Sequence, residues 1–173
     1  GAFNGCTGVT NLVVNTTPAS DCFWMDGFEG CRSVKRATIP GSSSSSVSQV
    51  FYLNHMLSYA LPDIEEVVFV EGTVSLPSGM CEGLEKLVHV TLPSSLEVIG
   101  LRGFSGCSSL ECIDLPDGLR LIGDYAFEGC RRLDVPVRIP NSVTNINART
   151  FYDLDVSELF FEPGNENYIV EGG

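Results

Sequence analysis

Residues 104–116 read F-S-G-C-S-S-L-E-C-I-D-L-P, and residues 81–93, 23 positions earlier, read C-E-G-L-E-K-L-V-H-V-T-L-P. Phe127-Glu128-Gly129-Cys130 repeats the opening of the phrase 23 positions later. A period in the twenties with apolar residues at fixed offsets marks a solenoid, in which each repeat is one coil stacked on the next. The recurring positions hold the coils together. Any ligand is read by the positions between them.

Counted from the opening residue of each unit, the first column holds Phe3, Phe28, Ser58, Cys81, Phe104, Phe127 and Phe151. Three residues on stand Cys6, Cys31, Leu61, Leu84, Cys107, Cys130 and Leu154, then Val9, Val34, Ile64, Leu87, Leu110 and Leu133. A strand-like pair follows: Leu12/Val14, Ala37/Ile39, Val67/Phe69, Val90/Leu92, Ile113/Leu115, Val137/Ile139 and Leu159/Phe161. Five residues before the first column lie Phe23, Leu53, Leu76, Ile99, Ile122 and Ile146, a further apolar column. Alternation in C-I-D-L-P turns Ile113 and Leu115 inward and Cys112 and Asp114 outward on a short strand. Parallel strands spaced ~4.8 Å apart give seven coils a height of roughly 30 Å. Pro40, Pro93, Pro116 and Pro140 end the strands, because proline has no N–H for the ladder. Gly5, Gly30, Gly106 and Gly129, each just before a column cysteine, suit a turn with positive φ.

The spacing stretches to 30 between Phe28 and Ser58, about seven residues more than the period. The excess falls on the Ser-rich insertion at residues 41–47, which reads as a flexible loop. Residues 47–60 then suit a short helix ending before Pro62. If that helix forms, Leu57 rather than Ser58 turns inward at the first-column place.

Seven cysteines cannot all pair within the chain. Cys6, Cys31, Cys107 and Cys130 share one inward column with leucines, which makes them small buried hydrophobes. A disulfide between stacked neighbours such as Cys107 and Cys130 is the alternative, strained by parallel side chains. Cys112 faces outward. No Cys-x-x-Cys spacing occurs and the histidines are only His55 and His89, so no metal site is expected. No cofactor is expected either.

The 173 residues are 43% hydrophobic and 18% charged, which suits one globular core. Twenty-two Asp and Glu against ten Lys and Arg give a net charge of −12. Such a surface repels phosphate backbones and anionic lipid heads, so nucleic acid and membrane surfaces are set aside as partners. No apolar run approaches the ~20 residues that span a bilayer. The chain starts partway through a unit and stops without a capping segment, so a fragment of a longer array is expected.

Units of the form A-F-x-G-C-x-x-L-x-x-I-x-L-P-x-x-L-x-x-I-G resemble the BspA-type leucine-rich repeat. The match is close over Gly103–Cys130 and looser over Gly1–Ile39 and Asn141–Phe161. The tail Glu162–Tyr168 is similar to the Asn- and Tyr-bearing segment that follows a strand in that family. The resemblance implies an α/β-class leucine-rich-repeat solenoid, β-rich, in a right-handed coil of about seven repeats. Short parallel strands would form one face and turns or short helices the other. It also implies a secreted or cell-surface array for adhesion or protein–protein contact, with no catalytic residues to carry over. Ser58, Cys81 and the insertion depart from the pattern.

Outward strand positions in such a solenoid form a face that can hold a partner. They are Asn11/Val13, Arg36/Thr38, Glu66/Val68, His89/Thr91, Cys112/Asp114, Pro136/Arg138 and Glu158/Phe160. Two readings are open, an ordinary solvated face and a binding face centred on His89, Thr91, Cys112, Asp114 and Arg138, with Arg36, Glu66 and Phe160 beside it. His89 and Cys112 fall one coil apart, but an open strip offers no pocket or third group to orient them, so an enzyme is not expected. Phe23 and Trp24 give weak support for sugar stacking, and Asn15-Thr16-Thr17 is a glycosylation sequon. The functional expectation is a monomeric, non-enzymatic module that binds a protein of a host or neighbouring cell. A spacer within a larger surface protein is the alternative.

Overall fold

Two parallel ladders run up the molecule and share one core between them. The computed structural model describes residues 3–14, 27–44, 56–133, 136–147, 149–154, 159–164 and 167. The first ladder joins β1 (Asn11–Val13), β2 (Arg36–Ile39), β3 (Glu66–Phe69) and β5 (His89–Thr91) in sequence order, all parallel. Asn11, Arg36, Glu66 and His89 stand in one row across it, and Val13, Thr38, Val68 and Thr91 in the next. Higher in the same column of the sequence, β8 (Val137–Ile139) pairs with β10 (Leu159–Phe161).

The second ladder was legible only as an apolar column. β4 (Ser75–Leu76), β6 (Val98–Ile99), β7 (Leu121–Ile122) and β9 (Asn145–Ile146) form a four-stranded parallel sheet. Their pairing places Leu76, Ile99, Ile122 and Ile146 in one row. Parallel sheets are usually covered on their inner faces, and here the two ladders cover each other.

One strand expected from the sequence is missing. Residues 111–116 keep the alternation, with Ile113 and Leu115 buried and Cys112 and Asp114 exposed, yet they carry no strand. Of their amides only Glu111 bonds to the level below, donating to the Val88 carbonyl at 3.3 Å. The level above offers Pro136 at the matching place, which has no N–H to donate. One extra residue between Leu133 and Val137 also shifts that level. The face sheet is therefore interrupted there, and Val90 is half-buried where its row neighbours Ala37 and Val67 are fully buried.

The core follows the columns. Phe104 and Phe127 stack with centroids 5.5 Å apart, and Phe127 and Phe151 at 5.6 Å. Phe3 and Phe28 form a separate pair at 5.0 Å. Between those groups Leu57 and Cys81, both buried, replace phenylalanine. The helix α1 (Met56–Ala60) supplies Leu57, while Ser58 is half-buried. Gly5, Gly30, Gly106 and Gly129 all adopt φ between 68° and 75°, the left-handed turn that glycine tolerates.

The column cysteines are free thiols, Cys31, Cys107 and Cys130 fully buried and Cys6 partly so. Each buried one has a partner on the level below. Cys31 Sγ donates to the Phe3 carbonyl at 2.9 Å, Cys107 to Cys81 at 3.1 Å and Cys130 to Phe104 at 3.2 Å. Burial pushes the Cys130 thiol up to about 12, and drives Cys107 and Cys81 well above the ordinary thiol range. Among the described residues no helix is long and apolar enough to cross a membrane.

Candidate binding surface

The face sheet presents two rows of side chains over a buried floor. Arg36, His89 and Thr91 are exposed and Glu66 is half-buried, while Ala37, Ile39, Val67 and Phe69 beneath them are buried. The period of two explains this division, since alternate side chains of a strand leave opposite faces. Arg36 and Glu66 neighbour each other in the register and form an ion pair at 3.3 Å. On the rim of the same sheet Lys35 meets Glu65 at 2.8 Å and Lys86 meets Asp63 at 2.6 Å. The Lys86 hydrogen bond holds the Asp63 carboxyl below its usual range. Opposite charges thus alternate up the edge from coil to coil.

The structure brings Arg36, Glu66, His89 and Thr91 together on one continuous sheet. Cys112 and Asp114 are exposed at the interrupted level, so they extend the strip without sharing its ladder. Cys112 is a free thiol. No hydrogen bond joins it to His89.

Arg138 plays a different part from the others. Its Nη2 lies 2.5 Å from Asp117 Oδ1 and 2.5 Å from Glu162 Oε1, with Nε 2.8 Å from the latter. Nη1 donates to the Leu115 carbonyl at 3.4 Å. One guanidinium therefore ties three levels together just where the ladder fails. The bonds from Asp117 and then Glu162 raise its pKa above the usual arginine value. Nearby, Arg132 pairs with Glu111 at 2.6 Å across the same gap. Phe160, half exposed, closes the strip beside Arg138 in the β8–β10 register.

Asp117 and Glu162 were missed in the sequence because neither occupies an outward strand position. They stand 21 residues before and 24 after Arg138, one coil away on each side. A scan for carboxylates one period from each strand arginine would have found both. Phe23, Trp24, the Asn15-Thr16-Thr17 sequon, Glu158, Cys22 and all of residues 45–55, His55 among them, lie outside the described residues. Among the described residues no cluster of three His, Cys, Asp or Glu could hold a metal ion.

Solved structures with the same architecture include three bacterial proteins. A T. pallidum leucine-rich repeat protein is 25% identical over 73% of this chain and 50% of its own, with a TM-score of 0.53. A leucine-rich repeat protein from Bacteroides ovatus ATCC 8483 is 22% identical, covering 90% of this chain and 42% of its own, at a TM-score of 0.60. A leucine-rich cell surface protein from Faecalibacterium prausnitzii A2-165 is 15% identical over 83% and 45%, at a TM-score of 0.53. This chain thus spans half or less of each of their lengths, and the latter two likenesses concern the fold alone. No curated protein matches the sequence. A family model described as BspA type Leucine rich repeat region matches residues 1–63 and 57–169, in six copies. The repeat columns, the two parallel ladders and this match agree: the chain belongs to the BspA-type leucine-rich repeat family.

Proposed function

We propose that this chain is a non-enzymatic interaction module of a secreted or cell-surface protein, and that it binds a protein partner through the face sheet. The observation that carries the reading is the row Arg36–Glu66–His89 with Thr91 beside it. These are accessible polar groups of both signs, fixed by strand pairing above a buried floor. A preorganised row loses little side-chain freedom when a partner docks, and complementary charges of both signs give specificity. The strand face extends past the interruption through Cys112 and Asp114 to Phe160.

The test is a binding screen against purified extracellular-matrix and cell-surface proteins, with the wild type and an Arg36→Ala/His89→Ala/Thr91→Ala variant. Arg138 is left out of that variant because of its structural ties. A partner held by the wild type and lost by the folded variant supports the reading. If no protein binds the folded wild type, the face is a solvated wall and the chain serves as a spacer.

A further inference from the structure

Three residues beyond β6, β7 and β9 the backbone turns left-handed at Arg102, Tyr125 and Arg149, with φ of 54°, 56° and 56°. One level earlier the same place is taken by Gly79, with φ of 66°. Glycine enters that conformation without steric cost, whereas bulky side chains rarely adopt it. Three successive levels nevertheless hold a large residue there. Strain of this kind collects where the side chain serves a purpose.

The side chains make an alternating stack. The Arg102 guanidinium lies 5.3 Å from the Tyr125 ring centroid, and Arg149 lies 5.8 Å from it on the next level. Arg149 is also 5.9 Å from the Tyr152 centroid, and its Nη1 donates to the Tyr125 hydroxyl at 2.7 Å. These distances are those of cation–π contacts. Arg102 is neutralised by Glu82 at 3.2 Å. Arg149 is exposed, and among the described residues no carboxylate lies within ion-pair distance of it. Leu101, which precedes Arg102 in the chain, is 45% exposed, and Tyr152, at the Arg149 end, 57%.

We propose that the Arg102–Tyr125–Arg149–Tyr152 stack is a second binding surface, whose occupant is an acidic segment of a protein partner. A carboxylate side chain of that segment would take the open guanidinium edge of Arg149, and apolar neighbours would lie on Leu101 and Tyr152. Three features select this partner. The planar fork of arginine matches a carboxylate in two parallel bonds. Tyrosine and arginine are the residues enriched at the energetic centres of protein interfaces. Tyr125 sits between two guanidinium groups, so its ring offers no open platform for a sugar. This surface lies beyond the second ladder and is independent of the face sheet.

The experiment is selection of a displayed random-peptide library on the wild-type chain, followed by titration of synthetic copies of the enriched peptides. Three variants are compared: Arg149→Gly, Tyr125→Gly, and Arg36→Ala/His89→Ala. Glycine suits the left-handed backbone, so the first two should fold, and their melting temperatures verify this. Enriched peptides should share an Asp or Glu. Their affinity should fall by roughly tenfold in Arg149→Gly and when that acid is replaced by its amide. It should be unchanged in Arg36→Ala/His89→Ala, which separates this surface from the face sheet. Peptides without an acid, equal affinity for Arg149→Gly, or no enrichment would each overturn the proposal. So would an oligoglucuronate that binds at Arg149 when no acidic peptide does.

Discussion

The thiol of Cys130 donates a hydrogen bond to the main-chain carbonyl of Phe104, 3.2 Å away on the coil below. Cys107 repeats the contact to Cys81, and Cys31 to Phe3. The column cysteine is therefore more than a small apolar filler. It gives a first-column carbonyl, which already accepts the amide three residues on, a second donor from one level up, which leucine cannot do. Burial keeps the Cys107 and Cys130 thiols protonated, so they should resist alkylation at pH 8, while exposed Cys112 reacts. Mass spectrometry after iodoacetamide treatment checks this. Rapid labelling of Cys107 or Cys130 in the folded chain would contradict it.

The same burial sets a pH dependence. A thiol whose pKa is raised on folding contributes stability that is present below its unfolded value and lost as pH climbs toward the folded one. For Cys130 that window runs from the ordinary thiol value of 9.0 to about 12. Denaturation midpoints should hold steady below pH 9 and fall above it. The fall should be smaller in Cys130→Ala, which itself costs about 1–2 kcal/mol at neutral pH.

Phe127 is the middle member of the stack from Phe104 to Phe151. Phe127→Ala should cost about 3–5 kcal/mol, measured by urea denaturation, because it opens a cavity between two rings. Phe3→Ala should cost far less, since Phe3 is 49% exposed.

Two glycines are required for different reasons. A Cβ on Gly123 would stand 2.7 Å from the backbone of Gly100 and Leu101, so Gly123→Ala forces two coils apart. Gly129 has φ of 71° and only distant neighbours, so Gly129→Ala meets torsional strain alone. Gly123→Ala should cost about 1–3 kcal/mol and Gly129→Ala about 1 kcal/mol. Equal losses would mean that the close approach at Gly123 is relieved by a small shift.

Hydrogen exchange should expose the interruption of the face sheet. The amides of Glu66 and His89 donate to the level below at 2.9 and 3.1 Å. Those of Cys112, at the equivalent place, and of Asp114, two residues on, have no backbone acceptor. They should exchange at least about tenfold faster, a difference of about 1.4 kcal/mol in opening. Arg138→Ala should widen that difference, and added salt should do the same by screening its two carboxylate contacts.

Much of this was legible in the sequence because inward positions recur. Leu84, Cys107 and Cys130 could be aligned by eye, and Leu57 could be named as the replacement for Ser58 from the short helix expected after the insertion. The second ladder was harder, since strands of two residues such as Val98–Ile99 show no alternation. The break in the ladder above Ile113 came from a neighbour, Pro136, whose missing N–H counts only when the coils are stacked. Arg138 read as a ligand contact because its partners, Asp117 and Glu162, lie off the strand columns.

The most direct test of the account is a titration, at physiological ionic strength, of the wild type and the Arg36→Ala/His89→Ala/Thr91→Ala variant with a protein partner from the screen. The account predicts saturable binding by the wild type, and loss of roughly tenfold or more in the variant at an unchanged melting temperature. Equal affinity of the two folded chains would contradict it.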